Sequence, residues 1–261
     1  MLVTRAVSER ERRLHLRLKV MADELVAKCR EAGLTHFLFV RHANAAPLES
    51  SAPVRTDQPH DWRISDQRRV LTPKGHGQCE AAGEAWFSAL PVRALLVSPA
   101  RRASDTAVRM SAHIETEEKK AESLYLRMVE GVHPAGMNEA CEIMFETRGY
   151  GPLRGFFDAT YGEEGAVGRD AFSEYAAKVN AEMAAIIKGP SFTTETADAT
   201  GSTCLAVFGH AVFLNAIAFQ VAVAAGAAEA AQDALLDMDL GETEGILVNL
   251  VEGTIEHKKV A

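Results

Sequence analysis

The chain has 261 residues, 47% of them hydrophobic and 25% charged, with a formal net charge of −8. That length suffices for one sizeable α/β domain with a buried core. No run of about 18 apolar residues could span a bilayer, which excludes a membrane protein, and the acidic balance argues against nucleic-acid or anionic-lipid partners, which need a basic face. An anionic substrate would have to be met by a local cluster of cations.

In chain order, residues 8–32 carry Leu14, Leu16, Leu18, Met21, Leu25 and Val26 among many charges, the pattern of an amphipathic helix that ends near Gly33. With Glu9, Glu11, Asp23 and Glu24 in it and no uninterrupted apolar core, this stretch is neither a secretory signal nor an acid-poor transit peptide, and the expected compartment is the cytoplasm. Residues 36–40 (HFLFV) form a short continuous apolar run, as expected of a strand buried on both faces of a mostly parallel sheet. The polar stretch 49–69, with Pro53 and Pro59, reads as a surface excursion. Thr72 and Pro73 then supply an N-cap and a first helical residue for a helix to about residue 90.

A second buried strand is expected at 94–97 and a helix from Ser98 to about residue 113. The glycine-interrupted stretch 121–168 predicts an irregular cap with short helices, followed by a helix over 170–188 and a polar loop over 189–203. Residues 204–208 (CLAVF) make a third buried strand, residues 212–225 an apolar helix, and residues 246–258 a closing hairpin. Strand and helix alternate, so the fold class is α/β: a doubly wound, mostly parallel sheet with helices on both faces and an irregular cap insertion. The expected organisation is an N-terminal helix, 1–33, packed on the outside of a single domain, 34–261. Cys29, Cys79, Cys141 and Cys204 are widely spread without zinc or redox spacing, and read as reduced, mostly buried thiols.

Two of the three strands end in histidine, as Val40-Arg41-His42 and Phe208-Gly209-His210. In open α/β sheets ligands bind beyond the carboxyl ends of the strands, so both imidazoles enter one crevice if these strands are neighbours. The remaining strand ends in Ser98-Pro99-Ala100-Arg101-Arg102, which together with Arg41 supplies the cations that an anion requires. Arginine's planar fork matches phosphate oxygens two at a time and stays charged. Two arginines at a helix start oppose the helix dipole, which hints at an anion bound beside them.

Four blocks carry a resemblance. Residues 37–43 (FLFVRHA) are similar to the strand-plus-RHG signature of the histidine phosphatase superfamily, the group that includes the cofactor-dependent phosphoglycerate mutases. Residues 66–75 (DQRRVLTPKG) resemble its D-x-x-R-x-L-T-x-x-G segment, residues 98–107 (SPARRASDTA) its S-P-x-x-R-A-x-x-T-A segment, and residues 207–211 (VFGHA) its second-histidine strand. With their intervening elements they cover residues 35–225. The resemblance implies that His42 is the nucleophile, that Arg41 and Arg102 clamp phosphate oxygens with Arg102 rather than Arg101 at the motif position, and that His210 completes the pocket. Asn44 is a further phosphate-binding candidate, and no metal or cofactor is implied.

Ala43 stands where the family usually has glycine after the first histidine, and Ala211 follows the second histidine where glycine or asparagine is common. Ala43 with Asn44-Ala45 and the D-x-x-R-x-L-T spacing is most similar to the bacterial phosphohistidine-phosphatase branch. For the acid that protonates the leaving group, residues 126–131 (LRMVEG) resemble an L-R-E-G stretch with two extra residues, which favours Glu130; Glu122, His133 and Glu139 are the alternatives. The activity implied is metal-independent hydrolysis of a phosphomonoester or phosphohistidine, on a phosphorylated small molecule or phosphoprotein. A mutase of the phosphoglycerate mutase type is the second reading, although residues 44–47 and 126–131 do not match its longer blocks. A catalytically silent phospho-ligand-binding member is the third. Substrate choice falls to the loop 49–69 and the cap 121–168.

Overall fold

The computed structural model describes residues 9–47, 62–114, 125–132, 151–157, 163–189, 192 and 203–260. In chain order the elements are α1 (Glu9–Glu31), β1 (His36–Arg41), α2 (Trp62–Gln67), α3 (Pro73–Ala82), β2 (Val92–Val97), α4 (Arg101–Ser111), β3 (Tyr125–Met128), α5 (Arg154–Phe157), α6 (Glu163–Ile187), β4 (Cys204–Gly209), α7 (Ala211–Ala225), α8 (Glu229–Leu236), β5 (Gly245–Asn249) and β6 (Ile255–Lys258). The six strands form one mixed sheet in the order β3-β2-β4-β1-β5-β6. The first four run parallel, and β5 and β6 close the sheet antiparallel. Among the described residues, no helix is long and apolar enough to cross a membrane.

Strand alternation explains why the central strands carry continuous apolar runs. Phe37, Phe39, Leu96, Leu205 and Val207 join a core that includes residues of α1, α6 and α7. The intervening Leu38, Val40, Leu95, Val97, Ala206 and Phe208 join a second core that includes residues of α3 and α4. A residue pair one apart therefore points to opposite layers, which is why no polar position breaks these runs. The layer order is helices, sheet, helices, as expected of a doubly wound fold. Cys29, Cys79 and Cys204 are buried free thiols, whereas Cys141 lies outside the described residues.

The structure departs from the sequence reading in four places. Tyr125–Met128, expected to be irregular cap, is a fourth parallel strand paired with β2. It is a short sheet edge, and the exposed side chains of Leu126, Arg127 and Met128 give no apolar run to read. The helix expected at 170 begins at Glu163, inside the stretch read as cap. Within the excursion 49–69, Trp62–Gln67 is helical. The helix expected to reach 90 is regular only to Ala82 and then opens into a π turn, Gly83–Phe87. That wider turn brings the adjacent Trp86 and Phe87 both into the core.

Candidate active site

Register places the site. In the parallel pair of β1 and β4, Arg41 lies opposite Gly209, and the His42 amide donates to the Gly209 carbonyl at 3.0 Å. His42 and His210 therefore leave the same edge side by side, their ring centroids 5.2 Å apart and tilted by 64°. On the other side of β4, Val97 lies opposite Phe208, so Ser98 leaves β2 beside the same two residues. Both histidines are buried, at 8% and 5% exposure.

Arg102, on the first turn of α4, sits between the two rings. Its Nε–H donates to His42 Nε2 at 3.0 Å and its Nη2–H to His210 Nδ1 at 3.1 Å. The far side of the guanidinium is held by one residue: Nη1 donates to the Asp66 carbonyl at 2.5 Å and Nη2 to Asp66 Oδ2 at 2.8 Å. Arg102 is only 3% exposed, and Arg101 beside it lies exposed at the surface.

These contacts fix both tautomers. A carbonyl can only accept, so His42 Nδ1 carries the proton that goes to the Ala43 carbonyl at 2.8 Å. The lone pair of His42 is then on Nε2, facing Arg102. His210 accepts from Arg102 on Nδ1, so its proton is on Nε2 and is donated to Ser98 Oγ at 3.0 Å. Burial, followed by the positive charges of Arg102, Arg41 and Arg69, lowers the His42 pKa from 6.5 to about 3, against the opposing hydrogen bond to Ala43. The imidazole is neutral at physiological pH, with one unprotonated nitrogen among guanidinium groups.

Arg41 has its Nη1 on the Leu240 carbonyl at 2.6 Å, while its buried Nε has no hydrogen-bond partner among the described residues. A buried, unpaired guanidinium N–H costs free energy unless an acceptor arrives. The loop after β1 is pinned from several sides. Thr106 Oγ1 accepts from the Ala43 amide at 3.0 Å and donates to the Arg102 carbonyl at 2.6 Å, linking the loop after β1 to α4. The Asn44 amide donates to Gln78 Oε1 at 2.8 Å, and the Thr72 amide donates to the Asn44 carbonyl at 3.0 Å. A Cβ on Gly75 would lie 2.1 Å from that carbonyl oxygen, so only glycine fits the end of the D-x-x-R-x-L-T-x-x-G block.

The Asn44 side chain is spent on protein groups, its Nδ2 on Glu242 Oε1 at 2.7 Å and its Oδ1 on the Thr72 hydroxyl at 2.5 Å. Glu130 is exposed on a 3-10 turn, Glu130–Val132, just past β3. Among the described residues no hydrogen bond joins its carboxylate to either histidine. Glu122, His133 and Glu139 lie outside the described residues.

Three residues of this network were not assigned a role from sequence, although they stand inside the quoted blocks. Asp66 opens the second block, and Ser98 and Thr106 flank the motif arginine in the third. Leu240 and Glu242 belong to a loop that carried no motif signal.

The carboxyl ends of the parallel strands of this α/β sheet thus gather His42 and His210 beside Arg41 and Arg102. Residues 37–139 match the sequence model of the histidine phosphatase superfamily (branch 1). Three of the four blocks lie inside the match, while the His210 strand lies beyond it. No curated protein sequence matches the chain.

Solved structures with a similar course include a phosphoserine phosphatase variant from Entamoeba histolytica, at 14% identity and TM-score 0.44, covering 87% of this chain and 96% of that one. A mycobacterial glucosyl-3-phosphoglycerate phosphatase is similar at 17% identity and TM-score 0.47, covering 87% and 100%. The protein histidine phosphatase SixA, in complex with tungstate, is similar at 11% identity and TM-score 0.40, covering 86% of this chain and 94% of that one. At these levels the likenesses add nothing to what the strand order already shows.

Proposed function

We propose that the protein is a metal-independent phosphatase that transfers a phosphoryl group to His42 Nε2 and hydrolyses the resulting phosphohistidine. The observation that carries this reading is the lone pair of a buried, neutral His42 directed at the Arg102 guanidinium. A neutral imidazole is a competent nucleophile toward phosphorus, and fixed cations around it stabilise the equatorial oxygens of a loose transition state.

When a phosphate enters, Arg102 Nε exchanges His42 Nε2 for a phosphate oxygen, which frees the lone pair for in-line attack. The unpaired Arg41 Nε gains its acceptor in the same event. As the N–P bond forms, the bond from phosphorus to the leaving group breaks, and Glu130 donates a proton to the departing atom. Water then attacks phosphorus, passing a proton back to the Glu130 carboxylate as the N–P bond breaks, and His42 returns with inorganic phosphate as product. His210, its tautomer set by Ser98, lines the pocket opposite, and Asn44 serves it by holding the loop that presents His42.

The substrate is a phosphomonoester or a phosphohistidine, on a small molecule or a protein, and the working compartment is the cytoplasm. The experiment is hydrolysis of p-nitrophenyl phosphate in EDTA by the wild type and His42→Ala. Turnover in chelator, reduced on the order of a thousandfold in the variant, is expected, since the variant lacks the atom that bonds to phosphorus. Equal rates in the two proteins would refute the reading.

A further inference from the structure

We propose that Glu182, on α6, is the positioning residue for the leaving-group acid: its carboxylate fixes the turn that carries Glu130 at the rim of the phosphate pocket. This rests on the reading of His42 as nucleophile and Glu130 as acid.

The turn is built against the site by its own backbone. The Val129 amide donates to the Val97 carbonyl at 2.9 Å, so the pairing of β3 with β2 continues one residue past β3. The chain thus leaves the sheet level with Ser98, whose hydroxyl accepts the His210 proton. Val132, buried at the end of the turn, then packs onto β4: its Cγ1 lies 2.7 Å from where a Cβ on Gly209 would stand. Gly209 immediately precedes His210. The segment carrying Glu130 is thereby in contact with the strand tip that carries the second histidine.

What holds it there comes from α6. Glu182 Oε1 accepts from the Glu130 amide at 2.9 Å and Oε2 accepts from the Gly131 amide at 3.0 Å. Tyr175, on the same helix, donates its hydroxyl proton to the Val132 carbonyl at 3.1 Å. The first amides of a helical turn have no partner within it. A carboxylate that takes two of them makes charge-assisted bonds, stronger than water would give. The Glu130 side chain projects exposed from this turn, so its reach toward a leaving group depends on where the backbone is held. Holding the acid in place before the substrate arrives lowers the barrier only of the step that uses it.

The expected signature is selectivity for the leaving group. A poor leaving group such as phenolate needs the proton more than p-nitrophenolate does. The test compares phenyl phosphate with p-nitrophenyl phosphate in wild type, Glu182→Gln, Glu182→Ala, Glu130→Gln and the double variant Glu130→Gln/Glu182→Gln, with vanadate inhibition measured alongside.

Glu130→Gln is expected to lower kcat/KM for phenyl phosphate by about a hundredfold, and p-nitrophenyl phosphate much less. Glu182→Gln and Glu182→Ala are expected to shift the same ratio by roughly tenfold, leave vanadate inhibition unchanged, and add nothing in the Glu130→Gln background. Equal losses on both esters, weakened vanadate binding, or a full Glu182 effect without Glu130 would overturn the proposal. A Glu130→Gln variant with an unchanged ester ratio would remove the acid and this proposal together, yet leave the nucleophile reading intact. Only loss of the His42 dependence would remove that.

Discussion

Arg102 donates its Nε–H to His42 Nε2 at 3.0 Å, so a guanidinium rests on the unprotonated nitrogen of a buried imidazole. The same guanidinium reaches His210 and both acceptors of Asp66. Four acceptors around one planar fork define a position that a point charge cannot fill. Arg102→Lys is expected to weaken vanadate or tungstate inhibition by at least about tenfold and to lower turnover by more. Unchanged inhibition constants in that variant would show that the fork is not what grips the anion.

On the proposed reading Asp66 competes with the substrate for this arginine, because its carboxylate lies 2.8 Å from Nη2. Its other oxygen pairs with Arg69 at 3.2 Å. Asp66→Asn keeps an acceptor and removes a negative charge from the neighbourhood of an incoming dianion. Inhibition by inorganic phosphate is expected to tighten about threefold to tenfold, read as a lower inhibition constant at fixed ionic strength. Weaker phosphate binding would mean that orienting Arg102 outweighs repelling the anion.

Because His42 is held neutral to about pH 3, whereas an unfolded imidazole takes a proton near 6.5, the unfolded chain binds the extra proton between these values. Stability therefore falls as pH drops through that window, by at most roughly 1.4 kcal/mol per pH unit from this residue. Urea unfolding at about pH 7 and pH 5 should show a smaller loss for His42→Asn than for the wild type. For the same reason, kcat/KM should show no acid limb from His42 near pH 6.5.

Thr106 couples the two halves of the site, receiving the Ala43 amide and donating to the Arg102 carbonyl. Thr106→Val keeps the volume but leaves a buried amide without its acceptor, at a cost of about 1–3 kcal/mol. A lower thermal midpoint and reduced kcat are expected together, the second because the nucleophile loop loses its tie to the clamp helix.

The parts of this molecule that were legible in the sequence share a physical cause. β1, β2 and β4 are buried on both faces, so each gives an unbroken apolar run, and the residue after it stands at the ligand-binding edge. His42, His210 and Arg102 followed from that placement and from the superfamily's blocks. What stayed hidden depended on neighbours in space. β3 has a single strand partner and exposed side chains, and so gives no periodic signal. The Asp66 contact requires knowing that α2 folds over α4, and the Leu240 and Glu242 contacts come from a loop some two hundred residues from the nucleophile. The Asn44 side chain likewise meets Glu242 and Thr72, partners far from it in sequence.

The central claim is tested most directly by rapid acid-free quenching of the enzyme during turnover of radiolabelled p-nitrophenyl phosphate, followed by peptide mapping. The expected result is an acid-labile, base-stable label on His42 that forms and decays at rates compatible with turnover and is missing from His42→Ala. Label confined to another residue, or full turnover by His42→Ala, would contradict it.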